Sequence, residues 1–262
     1  MAQEMDLDDA WGLCRDVLEN GAPLELDDEM RALLSRIARQ VAIRPPDPDE
    51  ALRSHSTAMT LLREIHRRIG EGSDRLDEAR DRVNALQQHG DFDGAQHVMR
   101  DVLAVEVVPF YRQQAERILK KSAALAEVRA SGRLNPDLPD RPQLAALSQR
   151  VQQGHPLELT DDLRDLLLRT ATTAALTETE TAEAFKSQGG TEALMGRILS
   201  RFRDAQDRFL RAMFRMTRLR DAGDLEGARQ QMRDVLAVEV VPRYREAAEE
   251  QLQGLDRPPS KS

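Results

Sequence analysis

The sequence predicts an all-α protein built from two tandem copies of one helical module, each ending in a long antiparallel helical hairpin. Positions 99–109 and 232–242 carry the same eleven residues, MRDVLAVEVVP, at an offset of 133 residues. The same offset aligns Tyr111 with Tyr244 without a gap. Ala, Leu, Glu, Arg and Gln are abundant and alternating β-branched runs are few, which favours helix. Each copy is an internal control for the other, because residues that build the module should occur twice.

The first half of each module is predicted to form two short helices. The first covers residues 8–19, where apolar side chains recur at helical spacing, and Gly21 is expected to end it. Asp27 and its counterpart Thr160 are expected to cap the second helix. The connection that follows differs most between the copies, as a surface connection does. In the second copy it contains the glycine pair 189–190, which we interpret as a flexible hinge.

The hairpin gives the strongest periodic signal in the sequence. In the first copy, alternating steps of four and three produce a coiled-coil seam of Ile65, Ile69, Gly72, Leu76, Ala79, Val83 and Leu86. Glycine and aspartate at 90–91 and 223–224 are expected to end this helix and cap the next, which makes the two helices antiparallel neighbours. Pro109 and Pro242 are expected to kink the second arm. The β-branched run 102–108 leaves a buried strand open as an alternative.

The predicted boundaries follow from the repeat. The first module covers residues 1–120 and the second covers residues 142–253. Residues 121–141 contain the helix-breaking run NPDLP and are predicted to be a linker. Residues 254–262, with two consecutive prolines, are expected to be a disordered tail.

Composition and charge argue against several classes of protein. The formal net charge of −8 disfavours binding to nucleic acid or to an anionic membrane surface, because both need clustered positive charge. There is no run of about 18 apolar residues, so no membrane-spanning helix is expected. The acidic N-terminus lacks the apolar core of a secretion signal, and Cys14 is the only cysteine. We therefore expect a cytoplasmic protein.

The sequence carries no catalytic motif. No histidine recurs in the other copy, and neither HExxH nor a GxGxxG or Walker-type glycine loop occurs. Most carboxylates lie beside arginines at the spacing of solvated helix-surface pairs. We therefore predict no catalytic residue, no metal site and no cofactor, and the protein is not expected to be an enzyme.

Two glutamates differ from the other acids because they lie among valines on the hairpin seam. Counting outward from the hairpin turn places Glu106 opposite Gly72 and Glu239 opposite Ala205, where small residues leave room. A partly buried ion pair that fixes the hairpin register is the favoured interpretation. The candidate partners are Arg68, Arg75, Arg201 and Arg208. A carboxylate that receives a ligand's amine or a partner's arginine, and simple exposure, are the alternatives.

Two further sets of residues are candidates for interaction or modification. Tyr111 and Tyr244 are the only tyrosines and are interpreted as rings at the edge of the core, with contact to a partner protein as the alternative. The acidic, threonine-rich stretch 170–181 is a candidate kinase substrate, because phosphate would alter a helix end there. Its candidate phosphorylation sites are Thr177, Thr179 and Thr181.

The longest shared block resembles a known family. The pattern GDxxGAxxxMRDVLAVEVVPxYR, at residues 90–112 and 223–245, is similar to the DUSAM domain, and so is the preceding motif GxPLELxD. The resemblance covers nearly the whole chain, once per copy. That family is found mainly in myxobacteria, occurs singly and in pairs and has no established function, so the resemblance supplies no catalytic residues.

These features predict a non-catalytic cytoplasmic adaptor. Its two equivalent modules would present charged helix faces to an unidentified protein and bind it bivalently. A signalling component regulated by phosphorylation in the stretch 170–181 is the alternative. A third interpretation, an enzyme with a site assembled from scattered acids and arginines, requires a convergent pocket that nothing in the spacing predicts.

Overall fold

Every regular element that the structure describes is an α-helix. The computed structural model describes residues 7–44 and 47–256, and no strand occurs within those ranges. The prediction of an all-α protein is confirmed, and the alternative of a strand over residues 102–108 is wrong. The chain divides into two compact units, module one (Met1–Ala124) and module two (Leu125–Ser262).

The described helices repeat in the same order. The first series is α1 (Leu7–Leu18), α2 (Asp28–Gln40), α3 (Asp47–Ala51), α4 (His55–Gln88), α5 (Phe92–Val105) and α6 (Pro109–Ser131). The second is α7 (Asp140–Gln152), α8 (Asp161–Thr173), α9 (Glu178–Ala184), α10 (Gln188–Asp221), α11 (Leu225–Val238) and α12 (Pro242–Asp256). At the offset of 133 residues, every helix of the second series except α9 begins where its counterpart begins.

The predicted helix ends in the first half of each module are confirmed. Asp27 Oδ1 accepts a hydrogen bond from the amide three residues later at 2.8 Å, and Thr160 Oγ1 does the same at 3.2 Å. Gly21 and Gly154 follow the first helix of each module with φ of 72° and 86°. Glycine adopts this left-handed conformation without a steric cost, so it ends the helix cleanly.

The long helix and its turn form in both modules as predicted. α4 and α10 are each 34 residues long, roughly 50 Å at the rise of an α-helix. Gly90 and Gly223 end them with φ of 79° and 82°. Asp91 and Asp224 then cap the next helix by accepting the amide three residues later, at 2.7 and 2.8 Å. The buried seam residues of α4 are Ile65, Ile69, Gly72, Leu76, Ala79 and Val83.

The second arm is broken at its proline, which corrects the prediction of a kink. Residues 106–108 lie outside both α5 and α6, and α6 begins at Pro109. A proline disfavours helical backbone at the residue before it, whereas its fixed φ and missing N–H suit the first position of a helix. Pro242 begins α12 in the same way, after the break at residues 239–241.

The glycine pair of module two is helical, so the predicted hinge is wrong. Gly189 and Gly190 lie in the first turn of α10, where Ser187 Oγ accepts from the amide of Gly190 at 3.0 Å. A Cβ added at Gly190 would stand 2.4 Å from the carbonyl oxygen of Ala184. The glycine therefore permits a close approach of α9 to α10 rather than flexibility.

Parts of the predicted linker and tail are also helical. α6 extends through residues 121–131, and the helix-breaking run at 135–139 falls between α6 and α7. Residues 254–256, expected to be disordered, belong to α12. The remainder of the predicted tail, residues 257–262, lies outside the described residues.

Candidate functional site

The shared eleven-residue block folds into the end of one helix, a three-residue break and the start of the next. Glu106 ends α5 with φ −69° and ψ 131°, an extended conformation. Alternate side chains of an extended segment point to opposite sides. Glu106 and Val108 are accordingly buried, at 2% and 0% exposure, whereas Val105 and Val107 are 60% and 52% exposed.

The buried Glu106 carboxylate holds three donors. Its Oε1 accepts from the backbone amides of Val107 at 2.9 Å and Val108 at 2.7 Å, and its Oε2 accepts from Arg75 Nη1 of the facing helix. The two amides lie in the break, before the first residue of α6, so neither takes part in the hydrogen bonds within a helix. The carboxylate therefore satisfies the start of α6 and ties it to α4 through a charge-assisted hydrogen bond.

A second arginine closes the other side of the break. Arg112 Nη1 donates to the carbonyl oxygens of Leu103 and Glu106, both at 2.7 Å. The last carbonyls of a helix lack partners within the helix and carry its partial negative charge. Arg112, from the first turn of α6, thus caps the end of α5.

Module two repeats the network bond for bond. Glu239, also 2% exposed, accepts from Arg208 and from the amides of Val240 at 2.9 Å and Val241 at 2.8 Å. Arg245 Nη1 donates to the carbonyl oxygens of Leu236 and Glu239, both at 2.8 Å. We call each set of contacts the break network; it consists of Arg75, Glu106 and Arg112 in module one, and Arg208, Glu239 and Arg245 in module two.

Of the candidate arginines, only one in each module reaches the glutamate. Arg68 instead donates from Nε to Glu64 at 2.7 Å and from Nη1 to the Val41 carbonyl oxygen at 3.0 Å. Arg201, its counterpart, is partly buried and lies outside ion-pair distance of Glu239. The facing position follows the predicted register, since a Cβ at Gly72 would stand 3.3 Å from Glu106 Oε2.

The two tyrosines lie inside their modules, as the interpretation of rings at the edge of the core predicts. Tyr111 and Tyr244 are 6% and 7% exposed. The Tyr111 ring covers Gly72 so closely that a Cβ there would stand 2.3 Å from it. Burial raises the pKa of Tyr111, and Ser73 hydrogen-bonds its hydroxyl. In module two the ring packs 6.0 Å from that of Phe209.

The candidate phosphorylation sites differ in their access. Thr177 and Thr179 are exposed, whereas Thr181 is 3% exposed and donates to the Thr177 carbonyl oxygen at 2.9 Å. Thr177 caps α9: its Oγ1 accepts from the Glu180 amide at 3.2 Å and donates to the Glu180 carboxylate at 2.8 Å. The amide of Thr177 holds the pKa of the Glu180 carboxyl below its ordinary value.

The described residues contain neither a metal-binding group nor a membrane-spanning helix. Within residues 7–44 and 47–256, no group of three or more His, Cys, Asp or Glu side chains is arranged to hold a metal ion. No helix in the same part of the chain is long and apolar enough to cross a membrane.

The break exposes a surface that sequence reasoning missed. Each module has one such surface, which we call its valine surface. It consists of Val105 and Val107 in module one and of Val238 and Val240 in module two. Val238 and Val240 are 60% and 47% exposed. Its signal in the sequence is the alternation of exposed and buried positions at 105–108. That signal was hidden because the hairpin seam continues through Glu106 at helical spacing.

The fold and the repeated break define a tandem all-α protein with two equivalent modules. The family described as "protein of unknown function (DUF2379)" matches residues 5–121 and again residues 139–255. The chain belongs to this family and carries two copies of its domain. The match agrees with the resemblance drawn from the sequence in one respect: both describe a tandem pair of domains of unknown function. No curated protein and no solved structure matches the chain.

Proposed function

We propose that the protein is a non-catalytic, cytoplasmic interaction protein whose partner binds the valine surface of each module. The observation that carries the proposal is the recurrence of exposed apolar side chains. Val105 and Val107 are more than half exposed, and the same residues stand at positions 238 and 240. Leu168, Leu210 and Phe214, which are also exposed, have the polar counterparts Ser35, Asp77 and Asp81, and the exposed Leu225 has the buried Phe92.

The break itself has no need of valine at the exposed positions. Its backbone is held by the carboxylate of Glu106 and the guanidinium of Arg112. Neither contact involves the side chain of Val105 or Val107. Single exposed apolar residues are common on protein surfaces, whereas contiguous apolar patches mark interaction sites. The exposure of the same valines in both modules supports a use in protein contact.

Two equivalent surfaces in one chain favour bivalent binding. A partner held at one module reaches the second as an intramolecular event, so overall affinity exceeds that of either surface. Phe110, three residues after Val107, is 47% exposed, whereas Arg243 stands at the same position in module two. The two modules thus share the exposed valines and differ at the residue after the proline.

The proposal is tested by quantitative pull-down with paired substitutions. Val105→Ser with Val107→Ser should reduce recovery of a specific partner, and Val238→Ser with Val240→Ser should do likewise. If binding is bivalent, either pair of substitutions alone should reduce recovery by well over half, because the remaining surface binds without the gain from simultaneous contact. The fourfold variant should abolish recovery. The matched control is Leu210→Ser with Phe214→Ser, which removes exposed apolar side chains that do not recur.

A photoreactive amino acid gives an independent measurement. Placed at position 107 or 240, it should cross-link the same protein that the pull-down recovers, and placed at position 168 it should not. The interaction proposal fails if the fourfold variant recovers every protein that the parent recovers, in equal amounts.

Phosphorylation of the threonine-rich stretch is the second candidate function. The favouring observation is the exposed Thr177 hydroxyl, which caps α9 and donates to the Glu180 carboxylate. A phosphate there cannot donate this bond and would repel the carboxylate, so α9 should lose its cap. Phosphopeptide mapping of protein from the native cell should find phosphate on Thr177 or Thr179 and not on the buried Thr181. Unmodified peptides under all growth conditions would remove this candidate.

A further inference from the structure

Three arginines converge on one groove of module one. The groove lies between α2 and the turn that joins α3 to α4. Its lining residues are Arg31, Ala32, Ser35, Arg39, Leu52 and Arg53. We call it the arginine groove. Clustered guanidinium groups repel one another. Three of them on one small surface of an acidic chain therefore indicate a site for an anion.

The arginines retain unused donors. Two contacts orient Arg31. Its Nε donates to the uncharged carbonyl oxygen of Leu52 at 3.3 Å, and its guanidinium pairs with Asp28 of the same helix. Its ion pair with Asp28 is 3.5 Å long, and that carboxylate is fully exposed to solvent. Neither Arg39 nor Arg53 has an ion pair among the side chains that the structure describes. Apart from the Arg31–Asp28 pair, no ion pair with a described carboxylate neutralises the arginines of the groove.

The long helix α4 adds to this charge. It begins at His55, two residues after Arg53, and its first turn contains no acidic residue. The N-terminus of a helix carries a partial positive charge, which favours an anion nearby. The backbone and the side chains thus contribute potential of the same sign.

Module two shows that the helical scaffold does not require these residues. The counterparts of the lining residues are Arg164, Asp165, Leu168, Thr172, Phe185 and Lys186. The single arginine kept there, Arg164, lies over the ring of Phe185 at 4.8 Å. Of the polar lining residues, Ser35 is replaced by Leu168 and Arg39 by Thr172. The arginine groove is therefore a local feature of module one.

We propose that the arginine groove binds a small molecule carrying a diphosphate group. Guanidinium groups bind phosphate oxygens through two parallel hydrogen bonds, which lysine does not provide. A single phosphate group carries about −1.5 to −2 charges at neutral pH. Three guanidinium groups match the larger charge of a diphosphate better. The site lies on other elements than the valine surface, so it stands or falls separately from the proposed interaction function.

Calorimetric titration of the full chain at low ionic strength tests the site, with sodium pyrophosphate as the probe. One pyrophosphate should bind per chain, at least ten times more tightly than inorganic phosphate or sulfate. Adding salt should weaken binding, because the attraction is between solvent-accessible charges. A nucleoside diphosphate as a further probe distinguishes the free anion from an esterified one: equal affinity indicates that only the diphosphate is recognised.

The matched variant converts two lining residues to those of module two. Arg39→Thr with Arg53→Lys should weaken pyrophosphate binding at least tenfold and leave the melting temperature unchanged, since module two folds with these residues. Arg164→Gln, the control in module two, should leave binding unchanged. The proposal is overturned if pyrophosphate does not bind at millimolar concentration, if sulfate binds equally well, or if binding survives the double substitution.

Discussion

Module one carries three arginines on the arginine groove, whereas module two keeps one arginine there and places it over the ring of Phe185. At the break the two modules make the same hydrogen bonds, and Arg75, Glu106 and Arg112 have counterparts in identical roles. At the turn between α3 and α4 they differ, because Leu52 and Arg53 are replaced by Phe185 and Lys186. Buried polar groups must be satisfied wherever the module folds, so they recur. Solvent-facing residues are free to diverge, so differences there report local function.

The largest expected effect comes from removing one glutamate of the break network. Glu106→Ala should lower the free energy of unfolding by about 3 kcal/mol. The substitution removes the hydrogen-bond acceptor of Arg75 and of the two backbone amides in the break. Glu239→Ala should cost a similar amount if the two networks are equivalent. Glu106→Gln, which keeps an acceptor for the amides, should cost less than Glu106→Ala. Urea denaturation of the full chain measures all three, and a Glu106→Ala variant as stable as the parent would contradict the role given to the network.

A smaller effect separates the modules at the residue facing the glutamate. Gly72→Ala should destabilise the protein by about 2 kcal/mol, because the new Cβ would overlap the Tyr111 ring. Module two carries Ala205 at this position, so Ala205→Gly should cost only the helix propensity, about 1 kcal/mol. Thermal denaturation compares the two variants. A gain in stability for Gly72→Ala, as helix propensity alone predicts, would show that the Tyr111 ring moves aside without cost.

Acid sensitivity should differ between the modules by a still smaller amount. Hydrogen bonds from Arg67 and then Arg68 hold the pKa of Glu64 at about 2, against 4.5 for a free side chain. A lowered folded-state pKa stabilises the fold above the unfolded pKa, and this contribution is lost as pH falls from about 4.5 to about 2. Glu64 is 34% exposed, so solvent screening limits the effect to below about 1 kcal/mol.

The matched measurement is the pH dependence of unfolding for Glu64→Gln. Over that pH range the variant should lose less stability than the parent, and above pH 5 it should be slightly less stable. Module two has Arg197 at this position and cannot show the same dependence. Parallel curves for parent and variant would exclude a contribution from Glu64.

The smallest expected effect is at the valine surface. Val105→Ser with Val107→Ser should change the free energy of unfolding by less than about 0.5 kcal/mol per substitution, because both side chains are exposed. Urea denaturation should therefore give a midpoint close to that of the parent. A large loss would mean that the valines support the module, which would remove the argument for an outward function.

Much of the fold is predictable from the sequence because its signals are local. The caps at Asp27 and Thr160, and the turns at Gly90 and Gly223, each depend on a residue type at a fixed place next to a helix. The break differs from the predicted kink because a proline is compatible with either arrangement. Which one occurs depends on whether a side chain can satisfy the amides before the proline, and here Glu106 does.

The candidate site is less predictable because it depends on side-chain direction. Arg68 and Arg75 both lie about one turn from the residue facing Glu106, and spacing alone does not distinguish them. The structure shows Arg68 held by Glu64 and the end of α2, which leaves Arg75 for the carboxylate. The arginine groove has no local signal, since its residues come from α2 and from the turn after α3.

The break network has a consequence for how such a chain can grow. All of its members, from Arg75 to Arg112 in one copy and from Arg208 to Arg245 in the other, lie within a single repeat unit. Duplication of the whole segment therefore copies the donors of the break network together with their acceptors. No member of the network in the new copy depends on a residue of the original copy. The network is therefore complete in both copies as soon as the segment is duplicated. Later substitutions can then change the surface of either copy without disturbing it.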